Sequence, residues 1–341
     1  MDQPQIEFFQ QDQKFKAIIG PSPSFQLLAE ASDGTPLYHE ACVYNPATSR
    51  VYVTSNQCPD EGARCGKRVK LTEISLDPEA PTQAKVKVIT PSALEHSFLN
   101  GGVNFGDGQI LFCAQGSTDP NDLSGLIAVS ANDSSTVTPI LTSFHGIPFN
   151  SVNDAVVHPK DNSIWFTDPC YGYHQGIRPK PQLPNQVYRF DPNTKSVRAV
   201  ADGFTRPNGI CFSPDATTVY ITDTGAIHGS SDVPIDLAGP SHIYAFDLVD
   251  GFLVNKRLFA YAPGRFPDGI KCDMRGNVYA GCGDGVDVWD SKGVLLGAIK
   301  VAGGVANFCF GKEGEMFLCN ETKFWRVQLG GEGVKGALLG I

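Results

Sequence analysis

One phrase recurs along the 341 residues: a polar residue, an apolar run, a Pro- or Gly-bearing turn, and a second apolar and aromatic run. Its clearest copies are "EACVYNPATSRVYVTS" from Glu40, "NDAVVHPKDNSIWFTD" from Asn153, "NGICFSPDATTVYITD" from Asn208 and "DGIKCDMRGNVYAG" from Asp268. Two weaker copies, "NGGVNFGDGQILFCA" from Asn100 and "VANFCFGKEGEMFLCN" from Val305, complete a set of six. A repeat constrains a fold more than composition does, because each unit buries its apolar face only against its neighbours. The copies start 60, 53, 55, 60 and 37 residues apart, a loose period that suits a four-stranded sheet with variable loops.

Between the copies lie further strand-turn-strand signals, such as "QVYRFDPNTKSVRAVA" at 186–201 and "HIYAFDLVDGFLVNKRLFA" at 242–260. These supply the outer strands of each unit. The expected fold class is therefore all-β: a six-bladed β-propeller of four-stranded antiparallel blades around a central channel. The 36 Gly and 24 Pro agree with a chain broken by many turns. One propeller domain is expected over 21–341, after a loosely held N-terminal tail over 1–20. Residues 25–30 are expected to pair with C-terminal strands and close the ring.

In such a fold the first strand of each blade lines the channel, so the residues that open the repeats meet at one mouth. Those positions hold Glu40, Asn153, Asn208 and Asp268 in the four clear copies. Asn or Asp before a small residue is also ordinary turn chemistry. Four at one phase, aimed at one axis, instead form an all-oxygen set of two carboxylates and two amides that suits one hard divalent cation. Ca2+ is the expected ion, with Mg2+, Mn2+ or Zn2+ as substitutes; the absence of thiolate and imidazole argues against a zinc-type preference.

The formal net charge of −9 argues against nucleic acid or an anionic membrane as partner. No apolar run approaches a membrane span, and the start "MDQPQIEFFQQDQKF" lacks a secretory pattern, so a cytoplasmic location is expected. Of the ten cysteines, Cys42, Cys113, Cys211, Cys272 and Cys309 sit in apolar runs and read as small buried hydrophobes. Cys58 and Cys65 share one loop, where a disulfide is an alternative.

The segments "LYHEACVY", "VNDAVVHP", "RPNGICFSPD" and "FPDGIKCD" resemble the gluconolactonase and senescence-marker-protein superfamily, which includes luciferin-regenerating enzyme; "TDPCYGYHQGIRPKPQLPNQVYRFDP" is especially similar to its fungal lactonohydrolase branch. The resemblance covers most of the chain. It implies a six-bladed propeller with one catalytic divalent metal and hydrolysis of sugar-type or related small lactones. By motif it places Glu40, Asn208 and Asp268 among the metal ligands and gives Asn153 a role toward metal or substrate beside the reaction. Where some members carry an arginine for substrate hydroxyls, two residues before Asn153, this chain has Ser151.

Lactone opening needs water to attack an ester carbonyl while negative charge grows on its oxygen, chemistry that a bound cation supports without a serine nucleophile. No G-x-S-x-G elbow is present. Asp268 and Asn153 are the expected catalytic residues, Asp268 being both ligand and general base. The loops at 168–186 and 223–241 return to the metal mouth; His39, Tyr171, Tyr173, His174 and Arg178 are expected to contact a small-molecule lactone, with Gln175, His228 and Asp232 nearby. Asp168 and Asp223, which end "FTD" and "ITD", are expected to cap the turns that follow. Two other classes compete: a propeller that condenses substrates in the manner of strictosidine synthase, and a noncatalytic propeller that displays loops to a protein.

Overall fold

Val51 to Val53, Ile164 to Phe166 and Val219 to Ile221 are apolar on both faces of their strands and fully buried. A strand can bury both faces only when other sheets cover it from either side. The computed structural model, which describes residues 6–63, 65–76, 84–230 and 232–341, shows how this is achieved. Six antiparallel sheets stand radially around one axis, each packed face to face against two neighbours.

Blade 1 runs outward through Glu40–Asn45, Arg50–Thr54, Leu71–Leu76 and Ala84–Val88. Blade 2 follows with Leu99–Phe105, Gln109–Ala114, Gly125–Ser130 and Val137–Leu141. Blade 3 comprises Ala155–Val157, Ile164–Asp168, Gln186–Phe190 and Val197–Ala201. Blade 4 comprises Pro207–Phe212, Thr218–Asp223, His242–Val249 and Phe252–Tyr261. Blade 5 contains Ile270–Cys272, Val278–Cys282, Gly285–Trp289 and Leu295–Val301, and blade 6 contains Phe308–Phe310, Glu315–Asn320 and Lys323–Gln328. The core is correspondingly divided into six apolar clusters, one per blade interface. The cluster between blades 6 and 1, with Tyr44, Val51, Val53, Phe317 and Phe324, shows that the ring is closed by packing as well as by strands.

Closure by strand is as expected: Ser24–Glu30 is the outermost strand of blade 6, in register from Ser24 opposite Gln328 to Glu30 opposite Lys323. The segment before it differs from the expected loose tail. Ile6–Gln10 adds a fifth strand to blade 5, Ile6 opposite Val301 and Gln10 opposite Gly297. Phe15 and Ile18 are then buried between blades 5 and 6. The first five residues lie outside the described ones. Cys58 and Cys65 are both free thiols, the first buried and the second exposed. No helix among the described residues is long and apolar enough to cross a membrane.

Candidate active site

The mouth of the channel is built where each inner strand begins. Here the strands leave regular register, with irregularities after Glu40 in blade 1 and after Pro207 in blade 4. In blade 1 two consecutive non-glycine residues, Ala41 and Cys42, adopt left-handed backbone with φ of 60° and 54°. Such conformations cost about 1–2 kcal/mol each and are held only where the surroundings demand them. The bulge sits directly behind the Glu40 carboxylate, where it re-aims the side chain. In blades 4 and 5 glycine follows the polar residue because neighbouring backbone crowds in: a Cβ on Gly209 would lie 2.3 Å from the Asp268 carbonyl oxygen, and one on Gly269 only 2.4 Å from Asn307 Cγ.

A threonine clasp then fixes three of these openings from the preceding blade. Thr54 Oγ1 donates to the Asn100 carbonyl at 2.9 Å, Thr167 Oγ1 to that of Asn208 at 2.7 Å and Thr222 Oγ1 to that of Asp268 at 2.9 Å. Asp168 and Asp223 have a related task, on the segment before their blade rather than the turn after it. The Asp168 carboxylate accepts from Asn150 N and Ser151 N at 2.9 and 2.8 Å, and Asp223 accepts from Thr205 N and Arg206 N at 2.9 and 2.8 Å. Each brace ends two residues before an asparagine of the mouth, Asn153 or Asn208. Ser151 is spent within the fold: its hydroxyl donates to Pro169 O at 2.6 Å and accepts from Gly172 N at 3.0 Å.

Glu40, Asn153 and Asn208 are only 4–5% exposed, and Asp268 is half-buried. Glu40 Oε2 accepts from Asn307 Nδ2 at 2.8 Å, and the Asn208 amide favours the ionised Asp268 carboxylate. Burial, and then the charge of Glu40, push the Asp268 carboxyl well above the usual carboxylate range. Burial likewise raises Glu40, with Asp154 adding to it, while His39, Asn307 and Lys271 oppose the shift. Asp154, adjacent to Asn153, is a third buried carboxyl, raised by burial and relieved by Lys271 and by the Ile210 and Ala155 amides.

Two oxygens in this group, Asn153 Oδ1 and Asp268 Oδ1, are buried without any hydrogen-bond partner. Buried acceptors of this kind need a donor or a cation. Among the described residues no group of three or more His, Cys, Asp or Glu gathers as a metal cluster. The donors here are two carboxylates and two amides, and the crowded acids together with one orphaned amide oxygen and one orphaned carboxylate oxygen fit a hard divalent cation.

At the rim, His39 Nδ1 donates to Glu321 Oε1 at 2.6 Å. Burial opposes the charged imidazole, but the hydrogen bond and charge of Glu321, with Glu40 and Asp268, raise His39 to about 9. Asn56 Nδ2 donates to the other Glu321 oxygen at 3.3 Å. The helical turn Tyr171–His174 carries part of the expected wall. Tyr171 is buried, its hydroxyl 3.3 Å from Thr224 O, whereas Tyr173 is 45% exposed. His174 stands edge-on to His228 at 5.4 Å, and His228 Nδ1 accepts from Arg206 at 2.8 Å. Gln175 is tied to Gln57, and Asp232 is exposed.

Arg178 differs from expectation. Its guanidinium is buried and donates to the carbonyls of Asn150, Ser117 and Phe149 at 2.8–2.9 Å, so it fastens the loop to blades 2 and 3. Residues not singled out in the sequence are Glu321, Asp154, Asn307 and Lys271. Asn307 was within reach of the repeat argument, since it lies two residues into the sixth copy.

The family model described as the SMP-30/Gluconolactonase/LRE-like region matches residues 81–320. Lactonohydrolase oryL of Aspergillus oryzae is 30% identical over 334 residues, covering 93% of this chain and 71% of its own. A gluconolactonase of Zymomonas mobilis is 29% identical over 204 residues, covering 55% of this chain and 53% of its own. The solved structure of a gluconolactonase from Xanthomonas campestris superimposes with a TM-score of 0.73 at 25% identity, covering 94% of each chain.

Proposed function

The chain belongs to the SMP-30/gluconolactonase/LRE-like family, and from that premise we propose that it is a metal-dependent lactone hydrolase that opens a sugar-type or related small lactone. The observation that carries this reading is the pair of buried, partnerless oxygens on Asn153 and Asp268, set among Glu40 and Asn208 at one mouth of the channel. Glu40, Asn153, Asn208 and Asp268 would hold the ion, with Ca2+ best suited to the oxygen set. When bound, it supplies charge stabilisation for the carbonyl oxygen and keeps the surrounding carboxylates ionised.

The chain's own residues perform the proton work. Asp268 has two carboxylate oxygens, so one would hold the ion while the other receives a proton from attacking water. As water adds to the carbonyl carbon, that proton moves to Asp268; as the ring C–O bond breaks, the same proton passes to the departing ring oxygen, leaving a hydroxy acid. Asn153 orients the substrate carbonyl beside Asp268. His39, cationic and anchored through Nδ1, presents Nε2–H to substrate oxygens at the rim. Tyr173 and His174 form the outer wall, where loop sequence selects among lactones.

The test is a panel of aldonolactones, pantolactone and larger hydroxy-acid lactones followed by pH-stat, before and after chelation. Hydrolysis that stops on chelation and returns with Ca2+ is expected. Hydrolysis that persists in protein shown to be metal-free, or none across the panel in metal-loaded protein, overturns the proposal.

A further inference from the structure

Below the mouth the channel holds a cavity of about 110 Å³, lined in part by Lys271, Cys42, Cys272 and Cys309. Lys271 reaches from it toward the acids above, and Asn307 stands between Lys271 and Glu40. Asn307 is 1% exposed and lies at the start of the inner strand of blade 6. Its Nδ2 donates to Glu40 Oε2 at 2.8 Å, while its Oδ1 accepts from Phe308 N at 2.8 Å and faces Lys271 Nζ at 3.4 Å. Two donors on Oδ1 fix the direction of the amide, so the NH2 must face Glu40. The backbone at Gly269 packs against the amide and blocks its escape. Glu40 is thereby held by one oxygen, with the other left for an ion.

Lys271 has a different task. Glu40, Asp154 and Asp268 place three carboxylates within electrostatic reach of one another. Lys271 acts on both Glu40 and Asp154, and the charge of His39 is already matched by Glu321. With Lys271 the acids and their counter-charge carry two net negative charges; without it they carry three.

We infer that Asn307 is a positioning residue that aims Glu40, and that Lys271 is a fixed counter-charge that sets the mouth for a divalent rather than a trivalent cation. The inference rests on the metal reading above. Its test separates the two by binding alone: Ca2+ by calorimetry and Tb3+ by luminescence, on chelator-stripped protein. Repulsion from Lys271 scales with the charge of the ion, so Lys271→Met is expected to raise Tb3+ affinity relative to Ca2+ by about tenfold, while Lys271→Arg stays within about twofold of wild type. The ratio is insensitive to loosening of the fold or to altered protonation, because both ions meet the same metal-free protein. Asn307→Leu is expected to weaken both ions about tenfold with the ratio unmoved. Asn307→Ser, which keeps an acceptor for Phe308 N but falls short of Glu40, should do the same. An unchanged ratio in Lys271→Met overturns the counter-charge role, and wild-type affinity in folded Asn307→Leu or Asn307→Ser overturns the positioning role. Wild-type protein that binds neither ion overturns the metal reading itself and the inference with it.

Discussion

Asp268→Asn should move activity and stability in opposite directions, a combination that few other roles would produce. In the metal-free protein Asp268 is a crowded carboxyl with Oδ1 buried and partnerless, pushed well above the ordinary carboxylate range by burial and by Glu40. A group raised in this way favours the folded state at low pH, and that contribution is lost as pH rises above the unfolded value near 4. At neutral pH the wild-type side chain is therefore a liability. The isosteric amide removes the charge beside Glu40. Losing a charge buried beside another is worth ~1–3 kcal/mol. For a chain of this length that corresponds to about 1–4 °C in Tm. The same amide has no basic oxygen to take the proton, so turnover at saturating Ca2+ should fall by roughly 10²-fold or more. Scanning calorimetry in excess chelator and initial rates across a Ca2+ titration measure the two halves. A melting point below wild type in chelator would refute the electrostatic argument. Near-wild-type turnover in the metal-saturated variant would leave Asp268 a ligand alone and move the search for the base to His39 or Glu40.

Asn208→Ala removes an amide but no charge, so it should weaken Ca2+ binding and recover part of its activity as Ca2+ is raised; a loss that no concentration restores counts against a ligand role. Asp168→Asn leaves one acceptor where two backbone amides now bind, and should cost ~1–3 kcal/mol in urea unfolding together with weaker Ca2+ binding through Asn153. An effect on stability without one on Ca2+ would show that the brace does not reach Asn153. Asp287, buried against Arg265 at 2.8 Å, is raised to about 6, chiefly by burial. Between about pH 4 and 6 the folded chain retains a proton there that the unfolded chain has released, so its contribution to stability declines as pH rises through that window. Unfolding of wild type and Asp287→Asn at pH 4.5 and 7 should show wild type losing ground relative to the variant at the higher pH; a constant difference would count against this.

The blades were legible because each one had to be written out in the chain, and a repeated phrase registers its own phase. The proposed ligand set rests on the same reasoning: Glu40, Asn153, Asn208 and Asp268 lie at or just before the starts of the inner strands of their blades. What escaped notice depends on partners distant in sequence. Lys271 stands inside the apolar run "GIKCD", where an isolated lysine resembles a solvent-facing strand residue, and only the ring places it under two carboxylates. Arg178 looked like a binding-loop cation because nothing nearby could engage it; Ser117 and Phe149, which do, belong to segments 61 and 29 residues away. Ile6–Gln10 is five residues in a glutamine-rich stretch, too short to announce a strand whose partner lies near Val301.

That last pairing bears on how the protein is made. Ile6–Gln10 and Ser24–Glu30 emerge from the ribosome long before their partners at 295–301 and 323–328. At translation speeds of 5–20 residues per second, the first of these strands waits ~15–60 s for its sheet. During that interval two strands with open edges are available to any neighbouring chain, and Phe8, Phe9 and Phe25 lie on them. A nascent chain of this design has reason to engage a chaperone early, and a translational pause before residue 295 prolongs the exposure.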